Sequence, residues 1–173
     1  MKSLIFFLSV LLLACGGNTE TTDTAEAAVV KTKSAGAPYL TMKINGKQVA
    51  CHDVFGAYNP KGYPPGTTIL AGYVNEDNSQ SFNVVLAGVN GTGTITVTNK
   101  SDMASNAIQL NDPTATDPFS VRLLATNNKE GESFTIRFTK LGELDVEGSF
   151  EGAVTSDNGQ NVIRISEGKF DTE

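Results

Sequence analysis

Histidine occurs once in these 173 residues, cysteine twice and tryptophan not at all. A single histidine leaves the common histidine-rich zinc sites short of ligands, because carboxylates would have to fill every other position. Two cysteines cannot build the disulfide scaffold of small secreted domains. Basic residues are in deficit, with 13 Lys and Arg against 19 Asp and Glu and a net charge of −6. That balance argues against nucleic acid and against adhesion to anionic lipid, both of which require clustered positive charge. No apolar run approaches the about 20 residues that cross a bilayer. Missing too are Cys-x-x-Cys, His-Glu-x-x-His and Gly-x-Ser-x-Gly, so no motif points to a metal, a cofactor or an activated nucleophile.

What is present begins at the N-terminus. Lys2 precedes an apolar run from Leu4 to Leu13, broken only by Ser9, and the small residue Ala14 stands before Cys15. A basic start, about ten apolar residues and a small residue at the cut are the parts of a secretory signal. Leu12-Leu13-Ala14-Cys15 resembles the lipobox of bacterial lipoproteins, in which the cysteine is acylated and becomes the first mature residue. The resemblance implies a signal peptide over residues 1–14, lipidation at Cys15 and attachment to a membrane through that residue. Each buried methylene contributes about 0.8 kcal/mol, so two or three acyl chains would hold permanently. Gly16-Gly17-Asn18 lacks the aspartate that retains enterobacterial lipoproteins at the inner membrane, so the outer membrane is the expected location.

Residues 15–37 read as the lipidated cysteine and a tether. The 22 residues from Gly16 to Ala37 are mostly Gly, Asn, Thr, Glu, Asp, Ala, Lys and Ser, with Val29-Val30 the one strongly apolar pair. Such a segment buries too little to offset the entropy of ordering. As a flexible coil it would span roughly 25 Å. Asp23-Thr24-Ala25 resembles the Asp-Ser/Thr-aliphatic triplet that Bacteroidota modify with O-glycans, which makes Thr24 a glycosylation candidate.

From Pro38 to Glu173 the pattern has period two. Phe134, Ile136 and Phe138 alternate with polar residues, as do Phe82, Val84 and Leu86, and the series from Leu144 through Val146, Gly148, Phe150 and Gly152 to Val154. This is the signature of half-buried antiparallel strands. Asn45-Gly46, Asn90-Gly91 and Asn158-Gly159 supply turn chemistry. Strands are expected near 39–44, 47–53, 67–74, 81–87, 93–98, 105–110, 119–125, 132–140, 144–154 and 160–170. The fold class is therefore all-β: one domain, an antiparallel two-sheet sandwich or flattened barrel of about nine to ten strands. In the last strand Ile163 and Ile165 set one phase and Phe170 the other. A β-bulge within Ser166 to Lys169 reconciles them, with Gly168 as its natural site.

Four segments invite a chemical reading. Cys51-His52-Asp53 places a thiol, the sole histidine and a carboxylate in sequence. Strand alternation sends Cys51 and His52 to opposite faces and leaves Asp53 on the face of Cys51, so Cys51 reads as a small buried hydrophobe. Gly88-Val89-Asn90-Gly91-Thr92-Gly93 lacks the Lys-Ser/Thr of a phosphate loop and reads as a hairpin turn. Asn75 to Asn78 and Asp112 to Asp117 lack the spacing of a calcium loop, and Asp and Asn also serve turns on their own account. The stretch from Phe55 to Gly66 sets Phe55, Tyr58 and Tyr63 among glycines and prolines. It reads as a loop presenting rings at low entropic cost, suited to sugars or extended peptides.

The last forty residues carry a family resemblance. Ser133-Phe134-Thr135-Ile136, then Val146-Glu147-Gly148-Ser149-Phe150-Glu151-Gly152, then Ile165-Ser166-Glu167-Gly168-Lys169-Phe170 follow one another, and Ile44-Asn45-Gly46-Lys47 opens the domain. This order resembles a group of small Bacteroidota lipoproteins whose C-terminal β-domain has no known function. It implies a fold and names no chemistry. The expected function is a lipid-anchored, non-catalytic binding or accessory module of the bacterial envelope, needing no cofactor or metal, with an envelope protein or glycan as partner. An envelope enzyme using Cys51 and a purely structural component of an envelope complex are the alternatives.

Overall fold

Alternation from Tyr39 onward is realised as ten antiparallel strands in the computed structural model, which describes residues 37–112, 114–115 and 122–173. They are β1 (Tyr39–Ile44), β2 (Lys47–Tyr58), β3 (Thr68–Tyr73), β4 (Ser81–Leu86), β5 (Gly93–Val97), β6 (Asn106–Asn111), β7 (Arg122–Leu124), β8 (Phe134–Leu141), β9 (Val146–Ser156) and β10 (Val162–Asp171). One 3-10 turn, Ala125–Asn127, follows β7. Cys15, Thr24 and the start of the expected strand at 119–125 lie outside the described residues.

Eight strands close a barrel in the order β10-β1-β2-β3-β4-β6-β7-β9, with β9 pairing back onto β10. The all-β expectation holds, and closure removes the open edges that a sandwich would leave. β8 and β5 form a two-stranded wing that branches from β9. One edge of β9 meets β10; the other meets β8 as far as Gly152 and then β7 at Thr155 and Ser156.

The inward phase fills the barrel. Leu40 and Met42, Leu70, Val84, Ile108, Leu110 and Leu123 are all inaccessible or nearly so. Five phenylalanines run through the centre: Phe82 stacks on Phe150 at 4.9 Å, Phe150 contacts Phe134 and Phe170, and Phe138 meets Phe170 edge-on. Fully burying a ring contributes about 1.5–3 kcal/mol, so this row holds wing and barrel together. Gly148 and Gly152 give it room, since a Cβ at Gly148 would come within 2.7 Å of Phe170 Cζ and one at Gly152 within 2.5 Å of Ser133 O.

The bulge in β10 falls where the phases conflict. Ile165 pairs with Gly152 and Gly168 with Phe150, so three steps on β10 match two on β9. Ile165 and Phe170 are both buried, whereas Ile163 is half-buried. The left-handed residue is Glu167 (φ 52°), not Gly168. Gly168 is needed for a different reason: a Cβ there would lie 2.6 Å from Phe150 O.

Four further expectations change. The strand 47–53 continues to Tyr58, because Phe55 to Tyr58 pair with Thr68 to Ala71, so the loop begins at Asn59. Leu144 precedes β9 and is 64% exposed, not inward. Asn45-Gly46 adopts positive φ at both residues, whereas near 91 and 159 only the glycines do. The segment 87–92 is no hairpin: β4 pairs with β3 and β6 while β5 pairs with β8. Val89 is the reason. It is 3% exposed, its N–H donates to Gly66 O at 2.8 Å, and its carbonyl accepts from Tyr58 Oη at 3.0 Å. The chain is thereby tied down as it crosses from barrel to wing.

Candidate functional site

β2 carries a second bulge, and it decides what the outer face of the barrel displays. His52 pairs with Tyr73 and Phe55 with Ala71, leaving one extra residue on β2, with Asp53 left-handed at φ 48°. Before the bulge Val49 and Cys51 lie opposite Met42 and Leu40 and face inward. After it Gly56 and Tyr58 lie opposite Leu70 and Thr68, so Phe55 turns outward. Without the extra residue Phe55 would share the inward phase of Cys51.

Cys51 and His52 therefore diverge, as alternation requires. The expectation that Asp53 shares the face of Cys51 fails because the bulge breaks alternation at that residue. Asp53 Oδ2 instead lies 3.3 Å from His52 Nδ1, and His52 Nε2 contacts Asn75 O at 2.8 Å. A neutral imidazole has one N–H for these two acceptors, whereas the imidazolium has two. The Asn75 carbonyl chiefly raises the histidine above its ordinary value, with Asp53 and Glu76 adding to it against an opposing desolvation effect. The Cys51 thiol is free, half-buried, and pushed up to about 12 by burial. A thiol so shifted is almost wholly protonated at neutral pH, while nucleophilic attack needs thiolate.

The outer face of β2, β3, β4 and β6 forms three aligned rows. His52, Tyr73, Ser81 and Asn111 make one, with Tyr73 opposite Ser81 and Asn111 Nδ2 donating to Ser81 Oγ at 3.0 Å. Phe55, Ala71, Asn83 and Gln109 make the next, and Ala57, Ile69, Val85 and Ala107 a third, apolar one. The His52 and Tyr73 rings stack at 5.8 Å. Tyr73 is 37% exposed and Phe55 47%. Asn83 Nδ2 donates to Ser81 Oγ at 3.0 Å and Gln109 Nε2 to Asn111 Oδ1 at 2.6 Å. Each amide uses one N–H within the face and keeps a second.

Of the rings expected to bind, Phe55 joins this face. Tyr58 lies on the opposite face of β2 and donates its hydroxyl to Val89 O, and Tyr63 stands 54% exposed in the loop after β2. Tyr73, Ser81, Asn83, Gln109 and Asn111 escaped sequence reasoning. Their signal was available, because the outward phases of β3, β4 and β6 are uncharged throughout.

A second feature is an open depression of about 760 Å³ where β8 parts from β9, lined by Asn45, Glu132, Thr135, Glu151 and Arg164 among others. Glu132 Oε1 accepts from Arg164 at 3.1 Å, and Oε2 is buried without a partner. The oxygens of the two calcium candidates serve their own turns: Asp77 Oδ1 accepts from Ser79 N and Oγ, and Asp112 Oδ1 from Thr114 N and Oγ1. Asp117 lies outside the described residues. Among those described, no three His, Cys, Asp or Glu side chains gather as a metal site, and no helix is long and apolar enough to cross a membrane. No family model, curated protein or solved structure matches this chain.

Proposed function

We propose that this chain is a lipid-anchored binding module of a bacterial envelope, exported by residues 1–14, held at the outer membrane by acylated Cys15, and non-catalytic. The observation that carries the binding reading is the outer face of β2, β3, β4 and β6. Rings at Phe55 and Tyr73 stand exposed on rigid strands, beside amides already held in place by one another. Preorganised groups of this kind bind with less loss of side-chain entropy than groups on loops. The enzyme alternative has little chemical support, because the one free thiol among the described residues is raised by burial and turned away from the one histidine.

The test is retention of detergent-solubilised full-length protein on immobilised envelope extract. Wild type should be retained, and Phe55→Ala with Tyr73→Ala should release it. Retention that ignores both substitutions would leave the purely structural reading in its place.

A further inference from the structure

We infer that the ligand of this outer face is a neutral polysaccharide, laid across the strands from the rings of Phe55 and Tyr73 to the amides of Asn83, Gln109 and Asn111. The inference rests on the binding-module reading and adds the chemical class. Three features of the face select that class. Between Asp53 at one end and Arg122 at the other, the two upper rows carry no Asp, Glu, Lys or Arg, and their one ionisable group, His52, has both ring nitrogens engaged by Asp53 and the Asn75 carbonyl. A hydrogen-bonding strip whose one ionisable group is already paired with Asp53 disfavours charged ligands, which would lose hydration without gaining a free counter-charge.

The second feature is the pairing of ring faces with amides. A pyranose presents an apolar C–H face for an aromatic ring and a rim of hydroxyls that both donate and accept. Side-chain amides match that rim, having two donors and a two-lone-pair acceptor. Ser81 Oγ accepts from both Asn83 and Asn111, which leaves its own proton free to donate outward. The third feature is shape. Four strands at about 4.8 Å spacing make a strip about 14 Å across on the convex outside of the barrel, which encloses nothing and so suits a stretch of chain rather than a small enclosed molecule.

The experiment is affinity electrophoresis of detergent-solubilised full-length protein through native gels containing a neutral β-glucan, a mannan or, as the charged control, a polyuronate. At least one neutral polymer should retard the protein while the polyuronate does not. Phe55→Ala and Tyr73→Ala should each weaken that retardation about tenfold, and Tyr63→Ala should leave it unchanged. Asn83→Asp adds a charge to the strip without touching the core. It should abolish retardation while the thermal midpoint stays at the wild-type value, which separates loss of binding from loss of fold. Retardation by the polyuronate alone, none by either neutral polymer, or equal retardation of wild type and Asn83→Asp overturns the inference. If envelope retention still depends on Phe55 and Tyr73 in those cases, the module reading stands and only the ligand class falls.

Discussion

Asn128 and Thr155 are joined side chain to side chain in the buried interior, Thr155 Oγ1 donating to Asn128 Oδ1 at 2.8 Å. The same amide donates from Nδ2 to Ala153 O at 2.7 Å. These bonds fall where the edge of β9 changes partner from β8 to β7, so one side chain replaces the ladder that neither strand supplies. A buried carbonyl and a buried hydroxyl depend on it. Asn128→Ala should destabilise the domain by about 2–4 kcal/mol, since each orphaned buried group costs about 1–3 kcal/mol. A urea midpoint within error of wild type would show the branch point to be held some other way.

The β10 bulge yields a paired prediction. Glu167→Gly removes a left-handed non-glycine residue, worth about 1–2 kcal/mol, along with an exposed bond to Lys43 at 2.6 Å. It should be neutral or mildly stabilising. Gly168→Ala drives a methyl into Phe150 and should cost about 1–3 kcal/mol or more. Calorimetry on both variants decides, and the reverse order would return the bulge to Gly168.

His52 is the sole histidine, so its titration can be followed in the intact protein by NMR. It should titrate above the ordinary value of 6.5, because Asn75 O and Asp53 both favour the imidazolium. The sign follows from linkage. A histidine raised on folding contributes stability that is fully present below its unfolded value and is lost as pH rises through the folded one. Asp53→Asn should lower the midpoint, and a midpoint below 6.5 would contradict the geometry.

Cys51 should react slowly with a thiol reagent at neutral pH in the native protein and quickly once urea unfolds it. Burial raises the thiol from 9.0 to about 12. Stability from this group is therefore full below pH 9 and falls as pH climbs toward 12, a decline absent from Cys51→Ala. Fast native labelling would revive the nucleophile.

Cys15→Ala should shift the protein from the detergent-rich to the aqueous phase on cloud-point partitioning, because acyl chains supply the proposed membrane affinity. Identical partitioning of mutant and wild type would defeat the lipid anchor.

Much of the fold is legible in the chain because strand alternation is a local property. Phe134, Ile136 and Phe138 declare an inward phase within five residues, and all three are buried. The phase conflict between Ile165 and Phe170 exposed a bulge for the same reason, since two local patterns disagreed within one strand. Asp53 gave no such warning. Val49, Cys51, Val54 and Phe55 are all apolar enough to face inward, and only pairing with β3 shows where the extra residue sits.

Non-local choices belonged to tertiary structure. Asn90-Gly91 has the composition of a hairpin turn, yet β4 takes β6 as its partner and β5 takes β8, because Val89 finds its contacts in the core and against Gly66 and Tyr58. The outer face was hidden for a related reason. Tyr73, Asn83, Gln109 and Phe55 stand on four strands, and register alone makes them neighbours. Period two states which side of a strand each residue takes. Which strands lie side by side is settled by closing the barrel over five phenylalanines, a demand that no short stretch of sequence expresses.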